Sequence, residues 1–108
     1  MTASAGHPPA EAAGAPGPVF VDVDDEHGAL VLSSTPDRAG CEVEIEPVGG
    51  AGHRTHVYVL PRLTSRGVEH AAVFGSLPAG SYRVLGADGS VQSELAVAPN
   101  RVTAGRWD

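Results

Sequence analysis

Three glutamates alternate with apolar residues along Cys41-Glu42-Val43-Glu44-Ile45-Glu46, and a histidine and a tyrosine follow at His56 and Tyr58. Carboxylates and an imidazole on one strand face could exchange a proton, hold a divalent cation or meet a basic partner. A second acidic group, Asp22, Asp24, Asp25, Glu26 and His27 with Gly28, offers oxygens at alternate positions and a glycine to turn on. A calcium loop wants that pattern, but no bidentate glutamate follows at the EF-hand spacing. A solvated turn between two strands accounts for the same residues. His53 and His56 form H-x-x-H, a chelating spacing on a helix; on a strand an odd separation sends the two rings to opposite faces. His56 with Glu46 across a hairpin, joined by His70 one strand over, is the better metal set.

Nucleophiles are present as Ser33, Ser34, Ser65, Ser76 and Cys41, none of them in G-x-S-x-G. Cys41 opens the inward row of a strand, where thiols usually pack rather than react. No catalytic constellation follows from these residues, and no cofactor motif is present.

The elements that would position these groups are short. Gly, Pro, Asp and Asn recur every 8–14 residues, and the segments between them are rich in valine. Strands are expected near 19–23, 29–33, 41–48, 55–61, 68–74, 81–86, 91–97 and 102–107. No stretch holds an apolar i, i+3, i+4, i+7 pattern for three turns, so no helix is expected. Seven or eight short strands at this spacing predict an all-β sandwich of the transthyretin-like or immunoglobulin-like kind.

Two hairpins can be aligned from residues alone. Asp88-Gly89 signals a two-residue type I′ turn. It pairs Tyr82 with Leu95 and Val84 with Ser93 inside, and Arg83 with Glu94 outside. The second hairpin turns through Gly49-Gly50-Ala51-Gly52. Matching its apolar rows sets Ile45 against Val57 and Val43 against Val59, with Glu46 opposite His56, Glu44 opposite Tyr58 and Glu42 opposite Leu60. A one-residue slip would bury the glutamates. Extending the sheet to 68–74 adds Phe74 beside His56 and His70 beside Leu60 on the outer face. Both faces of His56–Leu60 and of Ala71–Phe74 are then apolar, which requires either a covering chain or an inward Phe74.

Composition bounds the remainder. The 108 residues suffice for one domain. Residues 1–18 contain no branched aliphatic and no aromatic side chain, too little apolar area to offset ordering, and are expected to be a disordered tail. Residues 19–108 then form the domain, burying ~60–65% of its unfolded surface. Net charge is −6, and all seven basic residues are arginines scattered along the chain, a poor footprint for nucleic acid. The absence of lysine removes P-loop, Schiff-base and lysine general-base chemistry. No signal-like start and no run of 18 apolar residues is present. With one cysteine, no internal disulfide can form, and a cytoplasmic location is expected.

Leu77-Pro78-Ala79-Gly80-Ser81-Tyr82-Arg83-Val84, followed by the Asp88-Gly89 hairpin, resembles prealbumin-like sandwich modules of the carboxypeptidase regulatory-like and CnaB type. The resemblance covers Val68 to Val97 and implies the fold more than any activity. CnaB domains often carry a lysine isopeptide bond, which this chain cannot make. His27-Gly28-Ala29-Leu30-Val31, Glu42 to Glu46, Arg54-Thr55-His56 and Ala71 to Phe74 together resemble short actinobacterial proteins, some of which are labelled phospholipases.

The sequence therefore predicts a small non-enzymatic interaction or accessory module. The face of Glu42, Glu44, Glu46, His56, Tyr58 and His70 would meet a protein partner or a second copy. The alternative is a metal-binding or metal-dependent hydrolytic protein.

Overall fold

A computed structural model describes residues 21–49 and 53–108. The expected tail, 1–18, lies outside the described residues, as do Gly50, Ala51 and Gly52 of the second turn. The described residues form eight strands: β1 His27–Ser34, β2 Glu42–Pro47, β3 Thr55–Tyr58, β4 Leu60–Thr64, β5 Gly67–Pro78, β6 Gly80–Leu85, β7 Val91–Val97 and β8 Val102–Arg106. A 3-10 turn, Pro36–Arg38, lies between β1 and β2. The strands build two four-stranded sheets, ordered β4-β5-β1-β8 and β3-β2-β6-β7, so the chain is an all-β sandwich. Pairing is antiparallel except between β1 and β8, which run parallel. No helix among the described residues is long and apolar enough to cross a membrane.

The core lies between the sheets. Leu30 and Leu32 from β1, Val43 and Ile45 from β2, Ala72 and Phe74 from β5 and Tyr82 and Val84 from β6 meet there, with Trp107 closing one end. Each pair is two residues apart, the period that turns alternate side chains to one face.

Three expectations are corrected. Residues 21–23 form no strand, and 19–20 lie outside the described residues. The single strand expected over 55–61 is two. At Val59 the chain leaves one sheet for the other: its N–H donates to Cys41 O (2.9 Å), its carbonyl accepts from Gly40 N–H (2.7 Å), and its side chain is fully buried. Pro61 then falls on β4, an edge strand, where a residue without an N–H is tolerated. Because the switch comes first, β5 pairs with β4 and β1 and not with β3. Phe74 points inward opposite Leu30, nearly buried.

The third correction is the register of β2 against β3. Val43 pairs with Val57, Glu42 with Tyr58 and Glu44 with His56, two residues from the expected alignment. A slip of two keeps every side chain on its expected face, because the pleat has the same period. Val43 and Ile45 remain fully buried.

The β6–β7 register is as expected: Tyr82 pairs with Leu95, Arg83 with Glu94 and Val84 with Ser93. The turn that sets it is different. Gly89 N–H donates to Gly86 O (2.9 Å) and Gly86 N–H to Ser90 O (2.7 Å). The loop therefore holds three residues, with only Gly89 at positive φ (86°), a type I turn closed by a glycine bulge. The extra residue is taken back at Gln92, which lies unpaired between Val91 opposite Leu85 and Ser93 opposite Val84. Asp88 stays right-handed, and its Oδ1 accepts Ser90 N–H (3.0 Å) and Oγ–H (2.6 Å).

At the β5–β6 corner the Tyr82 hydroxyl donates to Pro78 O at 2.5 Å, and burial pushes its phenol above the ordinary pKa. This is the tyrosine corner familiar from immunoglobulin-type sandwiches.

Two substitutions test these joints. A Cβ at position 89 would meet no atom within 4 Å, so Gly89→Val carries backbone strain alone and is expected to cost ~1–3 kcal/mol in denaturant unfolding. Tyr82→Phe keeps the buried ring and orphans the Pro78 carbonyl, an expected loss of about 1 kcal/mol in the same measurement.

Candidate functional site

Alternation in β2 turns Val43 and Ile45 inward, and so places Glu42, Glu44 and Glu46 on the outer face of the β3-β2-β6-β7 sheet. His56 and Tyr58 join them from β3, and Arg83 from β6. Five of the six residues expected to form the binding face are therefore side by side. His70 is not. It sits on β5 in the other sheet, opposite Pro61 and Ser34, because the crossing at Val59 has already taken the chain away. Leu60 and Phe74, expected beside this face, leave it for the same reason.

The face is a ladder of opposite charges. Arg54 Nη2 lies 2.8 Å from Glu46 Oε1, and Arg54 Nε 3.4 Å from Glu44 Oε2. Arg83 Nη1 approaches Glu46 Oε2 at 3.5 Å, so Glu46 is held between two guanidiniums. His56 Nδ1 is 3.6 Å from Glu42 Oε2, not paired with Glu46 as expected. The His56 and Tyr58 rings meet edge to face with centroids 5.8 Å apart. Pairs this exposed contribute ~0.2–1 kcal/mol each, so the ladder orders the surface more than it stabilises the fold. Arg54 is the residue the sequence reasoning missed. Its signal was its place two residues before His56, which puts both on one face of an extended chain.

The carboxylates of this face are met by cations of the chain itself. Both oxygens of Glu46 face arginines, which compete with a cation for the same lone pairs. Among the described residues no three His, Cys, Asp or Glu side chains converge on a point that could hold a metal ion. Leu85 is buried on this same outer side, outside the core cluster, opposite Glu44.

The second acidic group folds into a turn. Asp24 N–H donates to His27 O (3.0 Å) and His27 N–H to Asp24 O (3.3 Å), leaving Asp25 and Glu26 as the two-residue loop. Asp24 Oδ1 accepts Glu26 N–H at 2.8 Å and lies 2.8 Å from His27 Nδ1. Its Oδ1 is thus engaged within the turn. The Glu26 N–H, and after it the His27 ring, hold the Asp24 carboxyl below its ordinary pKa. Two of the five nucleophile candidates serve the structure. Ser34 Oγ donates to Trp107 O (2.9 Å), and Cys41 is half-buried against the core.

A lowered carboxyl pKa in the folded state adds stability above the unfolded value, and that stability disappears as pH falls through the folded one. Asp24→Ala is therefore expected to melt below the wild type at neutral pH. The gap should close below the ordinary aspartate value of 3.8. Melting curves of both proteins at about pH 7 and about pH 2.5 check this.

No protein family, curated protein or solved structure matches the chain.

Proposed function

We propose that the chain is a small non-enzymatic interaction module that uses the Glu42, Glu44, Glu46, His56 and Tyr58 face to bind a protein partner of basic character. The observation that carries this is Tyr58. It is a large ring, 47% exposed, on an edge strand of only four residues. Glutamates line one flank, and tyrosine is among the residues that dominate binding energy at interfaces. Glu42, Glu44, Glu46 and Glu94 on this sheet outnumber Arg54 and Arg83, and the chain carries −6 overall, so the face steers positive surfaces toward it. Dispersed arginines favour a protein over a nucleic acid, and the single free cysteine agrees with a cytoplasmic setting. The resemblance of residues 68–97 to prealbumin-like modules is consistent with a binding role.

The metal-dependent hydrolytic alternative, including the phospholipase resemblance, has less support, because the arginines take both oxygens of Glu46 and His70 lies in the opposite sheet.

Tyr58→Asp tests the proposal. It adds charge beside Glu42 without touching the Val43–Val57 row. Partner affinity, or self-association followed by sedimentation, is expected to fall by about tenfold or more, with the melting temperature unchanged. Identical binding and identical size for both proteins would leave the face without a role, and unfolding of the variant would make Tyr58 a packing residue.

A further inference from the structure

A strand at the edge of a sheet carries backbone groups that no neighbour takes, and native proteins blunt such edges. The edge strands here are β4, β8, β3 and β7. On one side of the sandwich β7 and β8 close on each other: Thr103 Oγ1 donates to Ala96 O at 3.2 Å, and the Gln92 amide holds Asp108. On the other side β4 carries Pro61, which has no N–H to offer. β3 has no proline and no break in its register with β2. Its threonine, valine and tyrosine favour an extended chain.

Hydrogen bonds at either end of β2 fix which groups of β3 are free. Along an antiparallel pair, residues that bond the neighbour with both N–H and C=O alternate with residues that turn both away. Val59, directly after β3, spends both on the β2 side, donating to Cys41 O and accepting from Gly40 N–H. Val57, two residues earlier, therefore does the same, and His56 and Tyr58 turn outward. The far side of β2 gives the same answer independently. Val48 N–H donates to Ser81 O at 2.9 Å, in register with Glu46 opposite Arg83 and Glu44 opposite Leu85. Glu44 thus directs its backbone groups to β6, and His56, its partner on β3, receives nothing from it. Among the described residues β3 pairs with β2 alone. The N–H and C=O groups of His56 and Tyr58 therefore point to the open edge.

The side chains around this edge say what belongs on it. On the outer side the His56 and Tyr58 rings are backed by the carboxylates of Glu44 and Glu42. The inner side is apolar. β3 packs on β5, so a strand one place further out lies opposite β4. There Leu63 and Val68 pair across β4 and β5 on the core side of their sheet, yet are 61% and 52% exposed. We propose that β3 accepts an extended segment of a basic protein partner as a fifth, antiparallel strand, with arginine or lysine beside Tyr58 outside and apolar residues over Leu63 inside. Main-chain bonds to the edge hold such a segment, and its alternate side chains select it. Antiparallel pairing is the more stable kind, and a guanidinium beside Tyr58 can lie over its ring. A second copy of this chain would instead set one acidic face beside another. The proposal rests on the binding-face reading above and adds the way the partner binds.

Amide exchange of the full chain, followed by NMR with three capped peptides of alternating arginine and valine, decides it. One peptide is unmodified, one is N-methylated at its arginines and one at its valines. Residues opposite each other on antiparallel strands share a face, so the arginines beside His56 and Tyr58 are the residues whose N–H groups reach the edge. In the free protein the His56 and Tyr58 amides are expected to exchange faster than that of Val57. The unmodified peptide should slow both. Methylation at the valines should change little, whereas methylation at the arginines should weaken binding by about tenfold or more. Equal binding by all three peptides would overturn strand addition and leave the acidic binding face standing; binding by none would count against both. A dimer in sedimentation with His56 and Tyr58 already protected would also overturn the proposal, because a second copy would then hold the edge.

Discussion

The indole N–H of Trp107 donates to Leu85 O at 2.8 Å across the sandwich, and that bond ties one sheet to the other. Trp107 follows β8, in one sheet; Leu85 ends β6, in the other. The ring is 1% exposed, so its only polar atom is paired, and a buried N–H left unpaired would cost ~1–3 kcal/mol. The same residue is fixed along its backbone. Its N–H donates to Ser33 O, and its carbonyl accepts from Ser34 Oγ, both at 2.9 Å. The Arg38 guanidinium sits 5.7 Å from the ring centroid, within range of a cation–π contact. One step further on, the Gln92 amide bonds both backbone groups of Asp108. The last residues of the chain therefore hold together β1, the 3-10 turn and the β6–β7 hairpin. Gln92 can reach Asp108 because it is the unpaired residue of the β7 bulge. The bulge that restores the hairpin register also frees the side chain that locks the C-terminus.

Much of the architecture was legible because period-two patterning is local. Val43 and Ile45 against Glu42, Glu44 and Glu46 allow only one inside and one outside, and a misjudged register of two residues left that division intact. Tyr82 and Val84 were placed inside for the same reason. Crossings between sheets were less legible. In His56-Val57-Tyr58-Val59-Leu60 nothing interrupts the run of β-favouring residues, and the switch at Val59 depends on backbone bonds to Gly40 and Cys41, about twenty residues away. A tertiary partner decides that bend, and a single strand was the reasonable local answer. Pro61 was the one local sign, and it marked the start of the new edge strand rather than the end of the old one.

The candidate site inherits both outcomes. Residues reached through one hairpin, Glu42 to Tyr58, came together because short-range pairing puts them there. His70 required the sheet to continue across β5, and it failed with the strand crossing. The charges on the face were half visible: Arg83 opposite Glu94 followed from the hairpin, whereas Arg54 acts from just before β3 through a side chain long enough to touch two glutamates. Ion pairs made by long side chains carry no spacing rule, so sequence periodicity finds the faces and leaves the partners open.

The two outer faces divide the labour of a small sandwich. A domain of about 90 residues has little core, and apolar residues on the outer side of one sheet enlarge the buried area only when something covers them. Ala29 and Ala71 are small side chains buried outside the core cluster. Gly28 shows the same economy on the inner side, where a Cβ would lie 2.1 Å from Ala98 O. The other outer face has glutamates and arginines whose mutual pairing contributes little to stability and keeps the surface soluble. A face that is charged, ordered and weakly coupled to the core can change its partners at low cost to folding. Tyr58, at the open edge of that sheet, is half-exposed and meets His56 rather than the core.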